Sequence, residues 1–224
     1  MIRVLICDDH QIVRQGLKQI LADAGDLALA GEAASGPELI GQLRTLLAAD
    51  AGLPLQALPV VLLDIAMPQR DGLDILKALK TEWPRLPVLM LSTYPDRQYA
   101  VRSLKLGAAG YLNKSADAEQ MVAAVRRLAG GGLFITPAVA EQLAHTLGGG
   151  GGGGERPAHE LLSHREHQVY RLLATGASVG EIAEQLVLSP NTVSTYRARI
   201  LEKTGVRNDV ELALYAVRQE AGSA

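Results

Sequence analysis

One apolar segment of the N-terminal half constrains the fold more than any other part of the chain. Residues 59–63 read Pro-Val-Val-Leu-Leu and run directly into Asp64. A short continuous apolar run between turn signals is typical of a strand that is buried on both faces of a parallel sheet. Open α/β sheets hold their functional groups at the carboxyl ends of such strands. The segment therefore predicts a central strand that presents Asp64 at that edge of the sheet.

Strand and helix patterns alternate on both sides of this segment. Further short apolar runs predict strands at residues 2–7, 27–32, 87–92 and 109–112. Apolar residues at helical spacing, which begin with Ile12, Val13 and Leu17, predict helices at about residues 12–21, 37–49, 73–79, 96–106 and 117–130. Five consecutive strand–helix units indicate an α/β fold with a doubly wound, five-stranded parallel sheet.

Acidic side chains follow two strands that would be neighbours in this sheet. Asp8 and Asp9 end the first strand, and Asp64 ends the third. Carboxylates that lie so near each other repel unless a hard cation lies among them. Mg²⁺ is such a cation, and it prefers oxygen ligands. A single aspartate in such a place is more often a helix N-cap, but three together favour a magnesium site. Ser92 and Lys114 end two further strands and add a hydroxyl and a cation to the same edge.

A run of seven glycines, Gly148 to Gly154, divides the chain. Such a segment cannot repay its ordering entropy by burying apolar surface, so we interpret it as a flexible linker. We expect one domain at residues 1–131 and another at residues 160–224. Residues 132–159 would form a connecting helix and the polyglycine linker between them.

The C-terminal half carries only helix signals. Residues 163–166 and 178–181 are capping boxes, each of which opens a short helix. Ser189-Pro190 then supplies an N-cap and a proline at the first position of a third helix. A short helix, a turn and a third helix capped in this way are typical of an all-α helix-turn-helix domain.

The third of these helices carries the side-chain types that contacts to phosphates and base edges require. Its expected exposed face holds Asn191, Ser194, Thr195, Tyr196, Arg197, Arg199 and Lys203, and Arg207 follows in the next turn. From Glu155 onward there are eight Lys/Arg against nine Asp/Glu, so no overall basic field exists. The residues alone leave open a solvated polar face on a small helical bundle.

Composition excludes several broad classes of protein. A single cysteine, Cys7, lies in a predicted buried strand, which argues against a disulfide framework and fits a cytosolic setting. No apolar run approaches the roughly 20 residues that span a bilayer. We therefore expect a soluble cytoplasmic protein that does not associate with a membrane. Its 48% hydrophobic residues are enough to build real cores, and its net charge of −2 does not by itself indicate a nucleic-acid binder.

Over residues 1–131 the pattern of strand-end residues resembles the receiver domain of response regulators, which has a flavodoxin-like fold. The resemblance implies that Asp64 accepts a phosphoryl group from a sensor histidine kinase. It also implies that Mg²⁺ is held by Asp8, Asp9, Asp64 and the backbone carbonyl of Ala66.

The same resemblance assigns the remaining strand ends. Ser92 and Lys114 would bind the phosphoryl group after transfer. Tyr111 would be the switch aromatic, which could occupy the space that Ser92 leaves when it moves inward.

Residues 162–166, 181–183 and 188–200 resemble the LuxR-type DNA-binding domain. A receiver joined to such a domain is the NarL/FixJ arrangement of two-component response regulators. The resemblance implies a transcription factor that binds promoter DNA as a homodimer and that could contact RNA polymerase.

The register of that family assigns roles on the last two helices. The residues that would face base edges are Ser194, Thr195 and Ala198. Those that would contact phosphates are Arg197, Arg199, Lys203 and Arg207. The same surface would include Asn191 and Tyr196. The stripe that would form the dimer contact is Val210, Leu214 and Val217, although ordinary core packing explains that stripe nearly as well.

Two alternatives of other classes remain open at this point. A haloacid-dehalogenase-type magnesium phosphatase also uses an aspartate nucleophile, but it needs two acids two residues apart after one strand, whereas Asp8 and Asp9 are adjacent. A protein-binding adaptor would have a helical domain that never meets DNA. We expect no enzyme activity beyond the chain's own phosphorylation and dephosphorylation.

Overall fold

The chain forms two compact units, Met1–Gly150 and Gly151–Ala224. The structure is a computed structural model that describes residues 1–48, 58–67, 71–93, 97–137, 139–141 and 162–221. The predicted polyglycine linker lies outside the described residues.

A five-stranded parallel sheet forms the centre of the N-terminal unit. Its strands are β1 (Ile2–Cys7), β2 (Leu27–Ala33), β3 (Val60–Asp64), β4 (Val88–Ser92) and β5 (Gly110–Asn113). The strand order is β2-β1-β3-β4-β5, so β3 is central and the winding direction reverses between β1 and β3. Ligand sites in doubly wound sheets lie at this reversal, beyond the carboxyl ends of the strands. The predicted five-stranded, doubly wound fold is confirmed.

Helices cover both faces of the sheet. They are α1 (Gln11–Asp23), α2 (Gly36–Ala48), α3 (Gly72–Glu82), α4 (Arg97–Lys105) and α5 (Ala118–Ala129). Along β3, Val61 and Leu63 pack with α2, α3 and α4, whereas Val60 and Leu62 pack with α1 and α5. Because successive side chains of a strand point to opposite faces, the central strand has no solvated side and every one of its residues is buried.

The side chain of Ile12 departs from the predicted pattern. We expected it on the apolar face of α1, but it is 87% exposed, whereas Leu17 and Leu21 are buried. A helix makes one turn in 3.6 residues, so a residue nine positions before Leu21 lies two and a half turns away, on the opposite side. The prediction for Ile12 is therefore wrong, and the buried face of α1 is set by the later residues.

The chain that leaves α5 covers the outer edge of β5. The Phe134 N–H donates to the carbonyl of Ala109 at 3.0 Å, and the Tyr111 N–H donates to the carbonyl of Phe134 at 3.2 Å. A Cβ atom on Gly110 would lie 2.8 Å from that Phe134 carbonyl, so glycine permits this close pairing. The pairing satisfies backbone groups of an edge strand that would otherwise be open.

The described part of the C-terminal unit contains four helices: α6 (His164–Ala174), α7 (Val179–Leu186), α8 (Pro190–Thr204) and α9 (Asp209–Ala221). Both predicted capping boxes are present, on Ser163 and Ser178, and the Ser189 side chain caps α8 by accepting from the Thr192 N–H. The core of the unit includes Val169, Ile182, Val193, Ile200 and Leu212. The predicted all-α helix-turn-helix fold is confirmed.

Among the described residues, no helix is both long and apolar enough to cross a membrane.

Gly72 lets the first turn of α3 approach the end of β3. A Cβ atom at this position would lie 2.2 Å from the carbonyl oxygen of Asp64 and 2.7 Å from Cα of Ile65. Both of these neighbours are backbone atoms, which cannot rotate away. The close approach is reinforced by a hydrogen bond from the Gly72 N–H to the Ile65 carbonyl at 3.0 Å.

We predict that Gly72→Ala destabilises the N-terminal unit by about 1–3 kcal/mol, because the added methyl group forces backbone apart. The matched control is Gly16→Ala in α1, where an added Cβ meets no atom within 4 Å. That substitution should stabilise the unit by up to about 1 kcal/mol, since alanine favours a helix interior. Urea unfolding followed by fluorescence of the single tryptophan, Trp83, reports on this unit alone. Equal stability of the two variants would contradict the packing argument.

Candidate functional site

The fold brings the predicted strand-end residues to one edge of the sheet. Asp64 is the last residue of β3, Ser92 is the last residue of β4, and Lys114 directly follows β5. The Lys114 N–H donates to the Ser92 carbonyl at 2.7 Å, which fixes the ends of β4 and β5 in register. Asp8 and Asp9 follow β1 on the other side of β3. Since β1 and β4 both pair with β3, the site surrounds the end of the central strand.

Lys114 joins two carboxylates that are fully buried. Its ammonium Nζ lies 2.6 Å from Asp8 Oδ2 and 3.0 Å from Asp64 Oδ1. Both aspartates are 0% exposed. Burial of ions is costly unless they are paired, so this lysine compensates part of the negative charge. Three ionised carboxylates and one ammonium carry a formal charge of −2.

The Asp64 carboxylate is held in an unusual electrostatic state. Burial raises the pKa of this carboxyl above its usual range, the Lys114 ammonium opposes that shift, and Asp8 adds to it. Within the described part of the chain, neither Asp64 oxygen accepts a hydrogen bond of normal geometry, and the buried Asp9 Oδ1 accepts none either. Buried polar atoms nearly always have partners, so these oxygens need an explanation.

A divalent cation would explain them. The donors are carboxylate oxygens, which are the ligands that Mg²⁺ prefers, and two positive charges would cancel the residual −2. Asp8, Asp9 and Asp64 contribute ligand atoms to one cluster, in which all such atoms lie within 4.8 Å of one another. The residues present therefore fit a bound Mg²⁺ ion. Ala66 lies two residues beyond Asp64 in the loop that leads toward α3.

Sequence reasoning missed two side chains of this site. His10 belongs to the same cluster, with Nδ1 2.9 Å from Asp9 Oδ1 and 3.3 Å from Asp8 Oδ1. Arg14 donates from Nη1 to the backbone carbonyl of Asp8 at 2.7 Å, and its Nε lies 3.3 Å from Glu32 Oε2. The run of three consecutive metal-ligand types, Asp-Asp-His, was a signal for His10. The contact of Arg14 depends on the turn between β1 and α1, which no periodicity shows.

Ser92 and Tyr111 are buried residues of β4 and β5. Ser92 is buried, and Tyr111 is only 7% exposed, with its ring in the core cluster that also contains Tyr99 and Val139. The predicted switch aromatic is thus already inside the unit. Val139 belongs to the segment that leaves α5, so this ring packs with the chain that leads out of the N-terminal unit.

The C-terminal unit exposes most, but not all, of the predicted DNA-contacting residues. The exposed ones are Asn191, Ser194, Thr195, Ala198, Arg199, Lys203 and Arg207. Tyr196 and Arg197 were also expected on this face, but both are only partly exposed, and the Tyr196 ring packs against the helical core. The expectation is wrong for Tyr196 because that ring shares the inner side of α8 with Val193 and Ile200, which lie three before and four after it.

Two of the four predicted phosphate-binding cations are engaged within the unit. Arg197 Nε lies 2.8 Å from Asp209 Oδ1. Lys203 Nζ lies 2.5 Å from Oε2 of Glu166, a side chain that is only 3% exposed. Burial raises the pKa of Glu166, but Lys203 and the Ser163 N–H outweigh it and hold the pKa below its usual range. Lys203 therefore also stabilises the packing of α8 against the first turn of α6.

An apolar stripe runs along the outer side of α9. Val210 is 72% exposed, Leu214 54% and Val217 64%. They are spaced by four and three residues, so they lie on one side of the helix. Within the described unit they do not pack into the core. A contiguous exposed apolar patch of this kind is typical of an interaction surface.

Comparison with known protein families assigns both units. Residues 4–126 match the family model described as response regulator receiver domain, and residues 160–216 match the one described as bacterial regulatory proteins, luxR family.

Relatives with the same organisation match nearly the whole chain. The response regulator GacA of Pseudomonas viridiflava is 38% identical over 97% of this chain and 96% of its own length. The response regulator UvrY of Escherichia coli (strain K12) is 34% identical over 97% of this chain and 94% of its own. The structure of RcsB from Salmonella enterica serovar Typhimurium, bound to promoter rprA in the presence of phosphomimetic BeF₃⁻, is 28% identical. The structural match covers 96% of this chain and 97% of the RcsB chain, with a TM-score of 0.54.

Proposed function

Because the chain belongs to the two-component response regulators that join a receiver domain to a LuxR-type DNA-binding domain, we propose that phosphorylation of Asp64 controls its binding to promoter DNA. The observation that carries the proposal is the buried cluster of Asp8, Asp64 and Lys114 at the end of the central strand. We assign residues 1–131 to the receiver, 132–159 to the connection and 160–224 to the DNA-binding domain.

The first step is phosphoryl transfer to Asp64. A carboxylate oxygen of Asp64 forms a bond to phosphorus while the bond from phosphorus to the histidine nitrogen of a sensor kinase breaks. Lys114 opposes the rise in the pKa of Asp64 that burial causes, so it favours the ionised, nucleophilic carboxylate, and it stands where charge grows on the phosphoryl oxygens. Mg²⁺, which Asp8, Asp9, Asp64 and the Ala66 carbonyl would hold, supplies further positive charge to those oxygens when it is bound.

The second step transmits the change to the surface. The phosphoryl group brings new acceptor oxygens, and the hydroxyl of Ser92 and the ammonium of Lys114 bind them. Ser92 and Lys114 end neighbouring strands, and the backbone of Tyr111 on β5 donates to Phe134 in the outgoing segment. A shift of these strand ends therefore moves the chain that leads toward the DNA-binding domain.

The third step is DNA binding through α8. In this arrangement Ser194, Thr195 and Ala198 face base edges in the major groove, and Arg199 and Arg207 reach phosphates. The exposed stripe on α9 joins two subunits, so that a dimer reads two half-sites. The solved complex of the similar RcsB with promoter DNA supports the DNA-binding role. Such a regulator acts in the cytoplasm, receives its phosphoryl group from a sensor histidine kinase and could contact RNA polymerase at the promoter.

We predict that a small phosphodonor with Mg²⁺ adds one phosphoryl group to the wild-type chain, and that the product is stable in acid and labile in base. Asp64→Asn should abolish labelling, because the amide is no longer a nucleophile. The matched control is Asp74→Asn, an exposed acid in the first turn of α3, which should label normally. Intact-mass spectrometry and phosphate release on base treatment measure both variants.

Two results would argue against the assignment. Full labelling of Asp64→Asn would place the acceptor elsewhere. Steady turnover of a phosphomonoester by the wild type would favour the magnesium phosphatase instead.

The ion pairs of the C-terminal unit give a separate prediction for DNA binding. If Arg197 and Lys203 stay engaged, Arg199 and Arg207 of two subunits neutralise about four phosphates, and log K against log salt should have a slope of about −4. Arg199→Ala should weaken all DNA sequences alike and make the slope shallower by about one unit for each phosphate that is no longer neutralised, without affecting unfolding. Thr195→Ala should instead blur sequence preference at an unchanged slope.

Lys203→Ala is the informative comparison with Arg199→Ala. It leaves the buried Glu166 without its cation, so it should lower the unfolding free energy of the C-terminal unit by about 1–3 kcal/mol. Urea unfolding followed by circular dichroism measures this decrease, and fluorescence anisotropy measures DNA binding. Salt-independent DNA binding, or equal affinity for every sequence under all conditions, would support the adaptor instead.

A further inference from the structure

We propose that His10 is an additional ligand of the metal site and that its imidazole shifts the selectivity of the site toward divalent transition ions such as Mn²⁺. The inference rests on the metal site of the proposed function but not on phosphoryl transfer itself. It starts from the cluster in which Asp8, Asp9, His10 and Asp64 each offer a ligand atom within 4.8 Å of the others.

The contact between His10 and Asp9 does not have the form of a hydrogen bond. Nδ1 of His10 lies only 2.9 Å from Asp9 Oδ1, yet this buried oxygen has no hydrogen-bond partner among the described residues. Two ligands of one ion, each about 2.1 Å from it and about 90° apart, are themselves about 3 Å apart. Neighbouring ligands of one cation show this arrangement: a short distance between nitrogen and oxygen with no hydrogen atom directed along it.

A second observation points to a ligand at the same place. Among the described residues, neither buried oxygen of Asp64 accepts a hydrogen bond of normal geometry, although the Lys114 ammonium lies 3.0 Å from Oδ1, and the side chain of Asp64 is 0% exposed. Asp64 belongs to β3 and His10 to the turn after β1, so the converging donors come from two strands. The cluster is thus more than a group of acids that follow one another in the sequence.

The backbone holds His10 at this position. Its N–H donates to Asp8 Oδ1 at 2.8 Å, and its carbonyl accepts from the Arg14 N–H at 3.1 Å. His10 is the N-cap residue of α1, but its side chain makes no capping hydrogen bond. The imidazole is therefore not engaged by the helix and faces the carboxylates that precede it.

The added donor changes which ions the site favours. Imidazole nitrogen suits transition ions, whereas Mg²⁺ prefers a shell of oxygen ligands and dehydrates reluctantly. A neutral imidazole also adds a ligand without adding charge, so the residual −2 of the carboxylates and Lys114 still matches one divalent ion. His10 should therefore strengthen Mn²⁺ binding while it leaves Mg²⁺ binding nearly unchanged.

The test uses the full chain loaded with Mn²⁺ and examined by electron spin echo envelope modulation, which detects a directly coordinated ¹⁴N nucleus. The wild type should show imidazole ¹⁴N coupling, and His10→Gln should lose it. Titrations should show Mn²⁺ affinity at least about tenfold weaker in His10→Gln than in the wild type. Loss of an outer-shell partner alone typically costs about 10- to 100-fold in metal affinity, so loss of a direct ligand should cost at least tenfold. Mg²⁺ affinity should change by less than about threefold. The matched control, His167→Gln in the other unit, should retain both the coupling and the affinity.

Two outcomes would overturn the proposal. One is Mn²⁺ bound in the wild type without ¹⁴N coupling. The other is an equal decrease of Mn²⁺ and Mg²⁺ affinity in His10→Gln, which would make His10 a positioning residue for Asp9. Phosphorylation by a small phosphodonor at saturating Mg²⁺ separates this test from that of the proposed function. If Asp64 is never labelled but the coupling is present, the proposed function fails and the assignment of His10 stands.

Discussion

The buried contact of Lys114 with Asp8 and Asp64 is the interaction on which the rest of the site depends. Two carboxylates without access to water would repel each other strongly, and only an ammonium group held within 3.0 Å of both makes their coexistence tolerable. The lysine offsets only part of the charge, so the site remains attractive to a divalent ion. The phosphoryl group of the proposed function would add charge at the same place, where the lysine and the ion would meet it.

This interaction connects the site to the rest of the molecule because of where Lys114 lies. It directly follows β5, the edge strand that carries Tyr111 and whose outer side pairs with Phe134. The chain that continues toward the DNA-binding domain is therefore bonded to the same strand that positions the lysine. In the proposed function, a change in charge at Asp64 would act on one end of β5, and the outgoing segment is attached along the side of that strand.

Much of this arrangement follows from the sequence because it depends on local patterns and simple topology. Apolar runs located the strands, and the parallel order of the strands made the convergence of Asp8, Asp64 and Lys114 predictable. Capping residues such as Ser163 and Ser178 located helix starts in the C-terminal unit, since those contacts span only three residues.

The features that sequence reasoning missed depend on contacts between distant residues or on exact helical phase. Glu166 and Lys203 are 37 positions apart, so no helical pattern could show that a predicted phosphate-binding lysine is engaged by a buried acid. Ile12 matched an apolar pattern, but its phase relative to Leu21 placed it in solvent. The close approach of Gly72 to the backbone of Asp64 required knowledge of where α3 begins in space.

The most direct test of the account measures how far the receiver site controls DNA binding. An operator selected from random DNA would be titrated with the full chain in Mg²⁺, with and without beryllofluoride as a mimic of the phosphoryl group. We expect beryllofluoride to change the affinity by about 5- to 150-fold, the usual range of coupling between two sites, and Asp64→Asn to remove this response. Identical affinity with and without beryllofluoride, in a wild-type chain shown to bind it, would contradict the claim that this buried cluster governs the output.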